Sequence, residues 1–204
     1  MDKPIILAIC GKSCTGKDTL SNYLSAWLCA NGITALRTVS CTTRPKRVGE
    51  KHGVDYLFLS RGEFEKRIAA NEFLEYACFR GWYYGTPLSS VSKSNVSIMI
   101  VNPEGLNSLL FYKDKFEIIP IYLQESFEVR IERSCERENK LRLEYFRRAF
   151  VDFVNFVGIK KLIKQFDNYI IFPHGSSITI ELHEILSYLQ SLGIFPERES
   201  WTKN

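Results

Sequence analysis

A chain of 204 residues and 23.6 kDa suits one domain, or one core carrying insertions. With 45% hydrophobic and 25% charged residues it has the composition of a globular protein, which excludes collagen, coiled coil and intrinsic disorder. The formal net charge of +4 suits a protein that handles small anions and is too small to imply nucleic-acid binding.

From the N-terminus, residues 5–10 read as a buried strand, 18–31 as a helix ending near Gly32, and 34–40 as a second strand. Residues 96–101, 117–123 and 168–172 are further strands, separated by helical stretches at about 103–112, 126–165 (with a break near 134–139) and 177–192. This alternation predicts an α/β fold with a parallel sheet. Residues 40–95 interrupt it with a Pro/Gly-rich turn, a strand at 56–60, a helix at 62–71 and a strand at 73–80, and so read as an insertion mounted on the main sheet.

No apolar run approaches the ~18 residues of a membrane span, and the start of the chain lacks a signal-peptide pattern, so a cytoplasmic protein that does not engage membranes is expected. Cys10, Cys14, Cys29, Cys41, Cys78 and Cys135 form no C-x-x-C pair and read as reduced thiols. His52, His174 and His183 are too scattered to support a metal site or a catalytic triad.

The first motif follows the first strand. Gly11-Lys12-Ser13-Cys14-Thr15-Gly16-Lys17 matches G-x-x-x-x-G-K, between a predicted strand and a predicted helix. Its glycines let the backbone curl so that N–H groups point at phosphate oxygens, the helix N-terminus adds its positive end, and Lys17 reaches the β- and γ-phosphates. A P-loop usually continues with Ser or Thr, whereas here Asp18 precedes Thr19. Asp18 reads either as a Mg²⁺ ligand, direct or through water, or as an acid placed to complement the helix dipole.

Next come Ser40-Cys41-Thr42-Thr43-Arg44-Pro45-Lys46-Arg47-Val48-Gly49-Glu50, then Gly53-Val54-Asp55-Tyr56, Glu72-Phe73-Leu74-Glu75 and Tyr83-Tyr84-Gly85-Thr86. With the P-loop, these resemble the guanylate kinase family, whose patterns S-x-T-T-R-x-x-R-x-G-E-x-x-G-x-D-Y, E-F-x-E and Y-Y-G-[ST] occur in this order. The resemblance implies a P-loop three-layer α/β fold with a parallel central sheet, an inserted monophosphate-binding subdomain of mixed strands and helix, and a helical lid. It implies a single domain: core at about 1–39, 96–129 and 145–192, insertion at about 40–95, lid at about 130–144. The implied activity is Mg²⁺-assisted transfer of phosphoryl from ATP to GMP or dGMP, giving ADP and GDP. Arg44, Arg47, Tyr56 and Tyr84 would hold the acceptor phosphate, with Glu50 and Asn102 also on the substrate side. Glu75 would accept from guanine N1–H and N2–H₂, and Thr86 would donate to O6 with Ser40 nearby. Adenine offers the opposite edge, so Glu75 would face a lone pair.

Arg130, Arg133, Arg137, Arg147 and Arg148 fall in the lid and its following helix, and Arg137 and Arg148 are the preferred catalytic pair by resemblance. Residues 130–164 carry ten Lys/Arg and five Asp/Glu, so the charge surplus sits here. At helical spacing Phe146, Phe150, Phe153 and Val157 form an apolar stripe and are predicted to be core. Three features depart from the family. Ile100-Val101-Asn102 stands where D-x-D is usual, Phe172-Pro173 replaces Asn-Asp, and the lid lacks its glycine-and-acid-rich run. Asp18 could return the charge lost at the strand end. Two other readings are a kinase for another deoxynucleotide or small phosphate ester, and a non-catalytic guanylate-kinase-like module binding protein ligands. The assembly is expected to be a monomer or homodimer.

Overall fold

The computed structural model describes residues 3–79, 81–91, 96–138 and 142–193, without the side chains at 137, 138, 142–144 and 148. Strand β1 (Ile5–Gly11) lies at the centre of a five-stranded sheet. Its partners are β7 (Val96–Ile100) and β8 (Glu117–Leu123); β2 (Ala35–Arg37) and β9 (Ile170–Phe172) form the edges, and every pairing is parallel.

Being central, β1 is buried on both faces and reads as an uninterrupted apolar run. Its side chains alternate. Leu7 and Ile9 pack with Leu20, Leu24 and Leu28 of α1 (Lys17–Ala30) and Ile185 and Leu189 of α7 (Ile178–Ser191). Ile6, Ala8 and Cys10 face Leu106 and Leu109 of α3 (Pro103–Leu109) and Ile159 and Ile163 of α6 (Ile159–Ile163). Helices on both faces of a parallel sheet make the three-layer α/β architecture.

A second sheet comes from the intervening segment: β3 (Cys41–Thr42), β4 (Leu57–Phe58), β5 (Phe73–Phe79) and β6 (Trp82–Pro87), in the order β4-β3-β6-β5. Helix α2 (Arg61–Ala69) packs on it through Phe64, which stacks on Phe73 and Tyr83. Ser60 and Glu63 close a capping box that starts α2. Strands β3 and β6 lie outside the predicted elements. Strand β6 pairs antiparallel with both β5 and β3.

Helix α4 (Phe127–Glu138) ends and α5 (Arg142–Asn155) begins close to the predicted break near 134–139, and residues 139–141 lie outside the described residues. One expectation for the second half is corrected. The stripe Phe146, Phe150, Phe153 and Val157 is exposed, Phe150 to 70%. Helix α5 instead turns inward the face containing Tyr145 and Asp152, both buried. The two faces differ by about one residue of rotation, and a buried acid at the centre of the inner one made the outer one look like the core.

Candidate active site

Between the two sheets lies a cleft of about 730 Å³. One side is the phosphate loop. Gly11 ends β1 where no side chain fits: a Cβ there would stand 2.7 Å from both Leu123 O and Thr15 Oγ1. Cys14 (φ 64°) and Gly16 (φ 98°) take left-handed backbone, which turns the loop into α1 with no side chain capping the helix start. Lys17 Nζ donates to Gly11 O and Lys12 O, each at 2.8 Å, and Thr15 Oγ1 donates to Lys12 O. Burial pulls the Lys17 ammonium below its usual range against the opposing pull of Asp18 and Asp152. Asp18 is exposed and 3.4 Å from Arg37.

Helices α4 and α5 close over this loop. The Ser13 amide donates to Asp152 Oδ2 at 2.7 Å, and Asp152 lies 3.8 Å from Arg130 Nη1. Both side chains are buried, and Arg130 Nε and Nη1 have no hydrogen-bond partner among the described residues. Arg133 bridges the Cys14 carbonyl (3.4 Å) and Glu125 (3.3 Å), and Arg147 lines the cleft.

The opposite side is built from the second sheet. Arg44 makes a two-pronged bond to Glu50 at 2.8 and 3.0 Å, and Glu50 also accepts from the Arg47 amide at 2.8 Å. Burial opposes ionisation of Glu50, but the bonds from Arg44 and Arg47 outweigh it and hold the carboxyl below its usual range. The Arg44 guanidinium lies over the Tyr56 ring at 5.4 Å, and Tyr56 meets Tyr84 edge-on. Burial pushes the Tyr56 phenol up to about 12, so it stays a proton donor.

Deeper in the cleft, pairing of β5 with β6 sets Glu75 opposite Thr86. Thr86 Oγ1 donates to Glu75 Oε1 at 2.7 Å, and Ser40 Oγ lies 3.2 Å from Thr86 Oγ1. Glu75 is 7% exposed, and burial pushes its carboxyl up to about 7 although the Thr86 bonds pull it down. Gly105 is required behind it, because a Cβ there would stand 2.5 Å from Glu75 Oε2.

The cleft therefore brings together Gly11, Ser13, Cys14, Lys17 and Asp18 with Ser40, Arg44, Arg47, Tyr56, Glu75, Tyr84 and Asn102. Thr15, Gly16, Thr19, Glu50 and Thr86 do not line it. Thr15 and Gly16 shape the loop, Thr19 is exposed on α1, Glu50 stands behind Arg44, and Thr86 behind Glu75 and Ser40. The side chains of Arg137 and Arg148 lie outside the described residues. Asp152 and Gly105 were missed. An acid in the otherwise apolar spacing 145, 149, 152, 156 was the available signal for the first. Among the described residues no three His, Cys, Asp or Glu side chains gather as a metal cluster, and no helix is long and apolar enough to cross a membrane.

The guanylate kinase family model matches residues 1–148. The chain is 34% identical over 172 residues to a guanylate kinase of Clostridium tetani, covering 78% of this chain and 76% of that one. It is 50% identical over 91 residues to one from Symbiobacterium thermophilum, covering 45% of this chain and 41% of that one. Among solved structures, the guanylate kinase of Anaplasma phagocytophilum superposes with a TM-score of 0.63 at 21% identity, over 94% of this chain and 87% of that chain.

Proposed function

The chain belongs to the guanylate kinase family, and we propose that it transfers the γ-phosphoryl group of ATP to the 5′-phosphate of GMP, yielding ADP and GDP. The observation that carries this reading is the Glu75–Thr86–Ser40 chain at the end of a cleft whose other end is a P-loop. When Glu75 is ionised it is an acceptor only, so the single Thr86 proton is committed to it. Thr86 can then only accept in its contact with Ser40, so the Ser40 hydroxyl must turn its proton from Thr86 to donate to guanine O6, while Glu75 accepts from N1–H and the 2-amino group. The lone pair at N1 of adenine would face the carboxylate unpaired, which disfavours AMP.

Arg44, held in place by Glu50, presents its charge with Arg47, Tyr56 and Tyr84 to the acceptor phosphate. Lys17 exchanges its carbonyl partners for the β- and γ-phosphates, where it offsets charge in the transition state. Arg133 at the loop and Arg147 in the cleft would meet the transferring group, as would Arg137 and Arg148, whose side chains lie outside the described residues. Residues of about 130–144 act as the lid, and those of about 40–95 as the acceptor-holding part. Asp18 suits a Mg²⁺ ion carried mainly by phosphates and water, since such sites use one or two carboxylates and Asp18 lines the cleft beside Lys17. When bound, the ion would neutralise developing phosphate charge. The cysteines are all unpaired thiols, which supports a cytoplasmic setting.

A coupled ADP-release assay with ATP and a panel of nucleoside monophosphates tests the reading. Turnover with GMP and dGMP but not AMP or pyrimidine monophosphates is expected; no turnover with any of them by folded protein overturns it.

A further inference from the structure

Asn102 stands at the end of β7, lines the cleft with Glu75, and caps α3. Its Oδ1 accepts from the Gly105 amide at 2.7 Å. That bond fixes the orientation of the carboxamide, because a reversed amide would set two donors against each other. The oxygen is thereby committed to the helix start, and Nδ2 is the end left over. No described residue accepts a hydrogen bond from it.

Glu75 is its close neighbour. A methyl group at the Gly105 Cα would stand 2.5 Å from Glu75 Oε2 and 3.1 Å from Asn102 Oδ1, so the two side chains flank the same point of backbone. The carboxylate and the carboxamide are thus neighbours that both line the cleft, and with Oδ1 turned to Gly105 the donor end of the carboxamide is the one left for a ligand. Glu75 Oε1 already takes the Thr86 proton, which leaves Oε2, on the Asn102 side, as the less engaged oxygen.

The edge of a 6-oxopurine reads differently against such a pair according to its C2 substituent. Guanine offers two donors in a row, N1–H and the 2-amino group, so both must crowd onto Glu75 while Asn102 adds a third donor beside them. Xanthine offers N1–H and then a carbonyl oxygen at C2, a donor followed by an acceptor, which matches carboxylate followed by carboxamide.

We propose that Asn102 is a specificity-determining residue that admits a 2-oxo purine nucleotide, xanthosine monophosphate, as a second phosphoryl acceptor. The proposal rests on the cleft being the guanine-nucleotide site argued above. N1–H donates to Glu75, O2 accepts from Asn102 Nδ2, and O6 accepts from Ser40. The chemistry is that of the parent reaction. The bond from the γ-phosphorus to the oxygen bridging it to ADP breaks, a new bond forms from that phosphorus to an oxygen of the 5′-monophosphate, and no electrons change hands.

The test compares kcat/KM for GMP, inosine monophosphate and xanthosine monophosphate in the unmodified protein and in Asn102→Asp. Aspartate also caps helices well, so the variant keeps the bond to Gly105 while replacing the spare donor by an acceptor. The unmodified protein should use xanthosine monophosphate within about tenfold of GMP, and Asn102→Asp should lower the xanthosine-to-GMP ratio about tenfold or more. Inosine monophosphate, with only hydrogen at C2, is the common reference for both ratios. Turnover of GMP with none of xanthosine monophosphate, or equal ratios in the two proteins, overturns the proposal. Should Asn102→Asp melt early, the ratio measured in the unmodified protein decides alone. Failure with all three substrates, GMP included, refutes the reading of the cleft itself and this inference with it.

Discussion

In the proposed reaction the acceptor wall and the phosphate loop, which face each other across one cleft, would both meet phosphate charge, but their cationic groups are held differently. Arg44 is locked by Glu50 into a two-pronged bond and stacked on Tyr56, while its other flank lines the cleft. That side is arranged before any ligand arrives, so little ordering remains to be done on binding. Lys17 instead donates to carbonyls of its own loop, and the Ser13 amide is taken by Asp152. On the donor side, groups that meet phosphate are satisfied by the chain itself, and ATP must compete with those internal partners. The difference teaches that the acceptor half is preorganised and the donor half is exchange-ready.

Replacing Lys17 by Ala should break the donor half alone. We expect about a thousandfold loss of kcat, in line with the loss of a preorganised transition-state charge, while the thermal shift induced by GMP is retained. Loss of the GMP shift as well would mean that the two halves are not separable. Glu75→Gln should do the reverse, raising KM for GMP about a hundredfold with a smaller effect on ATP, as steady-state kinetics in each substrate would show.

Asp152→Ala probes the joint between α5 and the loop. It leaves Arg130 buried without its partner, so chemical denaturation should report a loss of about 3 kcal/mol. A loss below about 1 kcal/mol would show that this pair does not organise the donor half. Arg147→Ala, at the cleft surface, should have a milder effect of about tenfold on kcat and little on GMP affinity.

A further expected effect is on the pH dependence of stability. Burial raises Glu75 and Glu181 to about 7 in the fold, so between the ordinary carboxylate value of 4.5 and about 7 the native state holds protons that the unfolded state has released. Stability without ligand should therefore be greatest below pH 4.5 as far as these two groups are concerned, and decline as pH rises through 7. Melting curves of Glu75→Gln and Glu181→Gln should show a weaker decline than the unmodified protein.

Local features were legible where chemistry repeats a short pattern. Residues 117–123 read as a strand and fold as β8, and the P-loop sits between strand and helix as its glycines require. Ser40, Arg44, Glu75 and Tyr84, singled out by the resemblance of their motifs, all line the cleft. Partnerships closed over long separations were not. Asp152 meets Ser13 across 139 residues, and only the packing of α5 on the loop brings them together. The exposed stripe at Phe146, Phe150 and Phe153 was misread because periodicity finds an apolar face without telling which face turns inward. Glu50 was placed on the substrate and belongs behind Arg44, a distinction of geometry that composition does not carry.

The central claim is that an ionised Glu75 reads guanine on a wall arranged before ligand binds, and calorimetric titration of the ATP-free protein with GMP from pH 5.5 to 8.5 tests it most directly. The account expects affinity to fall by up to tenfold per pH unit from about 7 down to about 6, where the GMP phosphate itself begins to take up a proton, and expects the fall between pH 7 and 6 to vanish in Glu75→Gln. An identical slope in Glu75→Gln, or AMP binding as tightly as GMP, would contradict it.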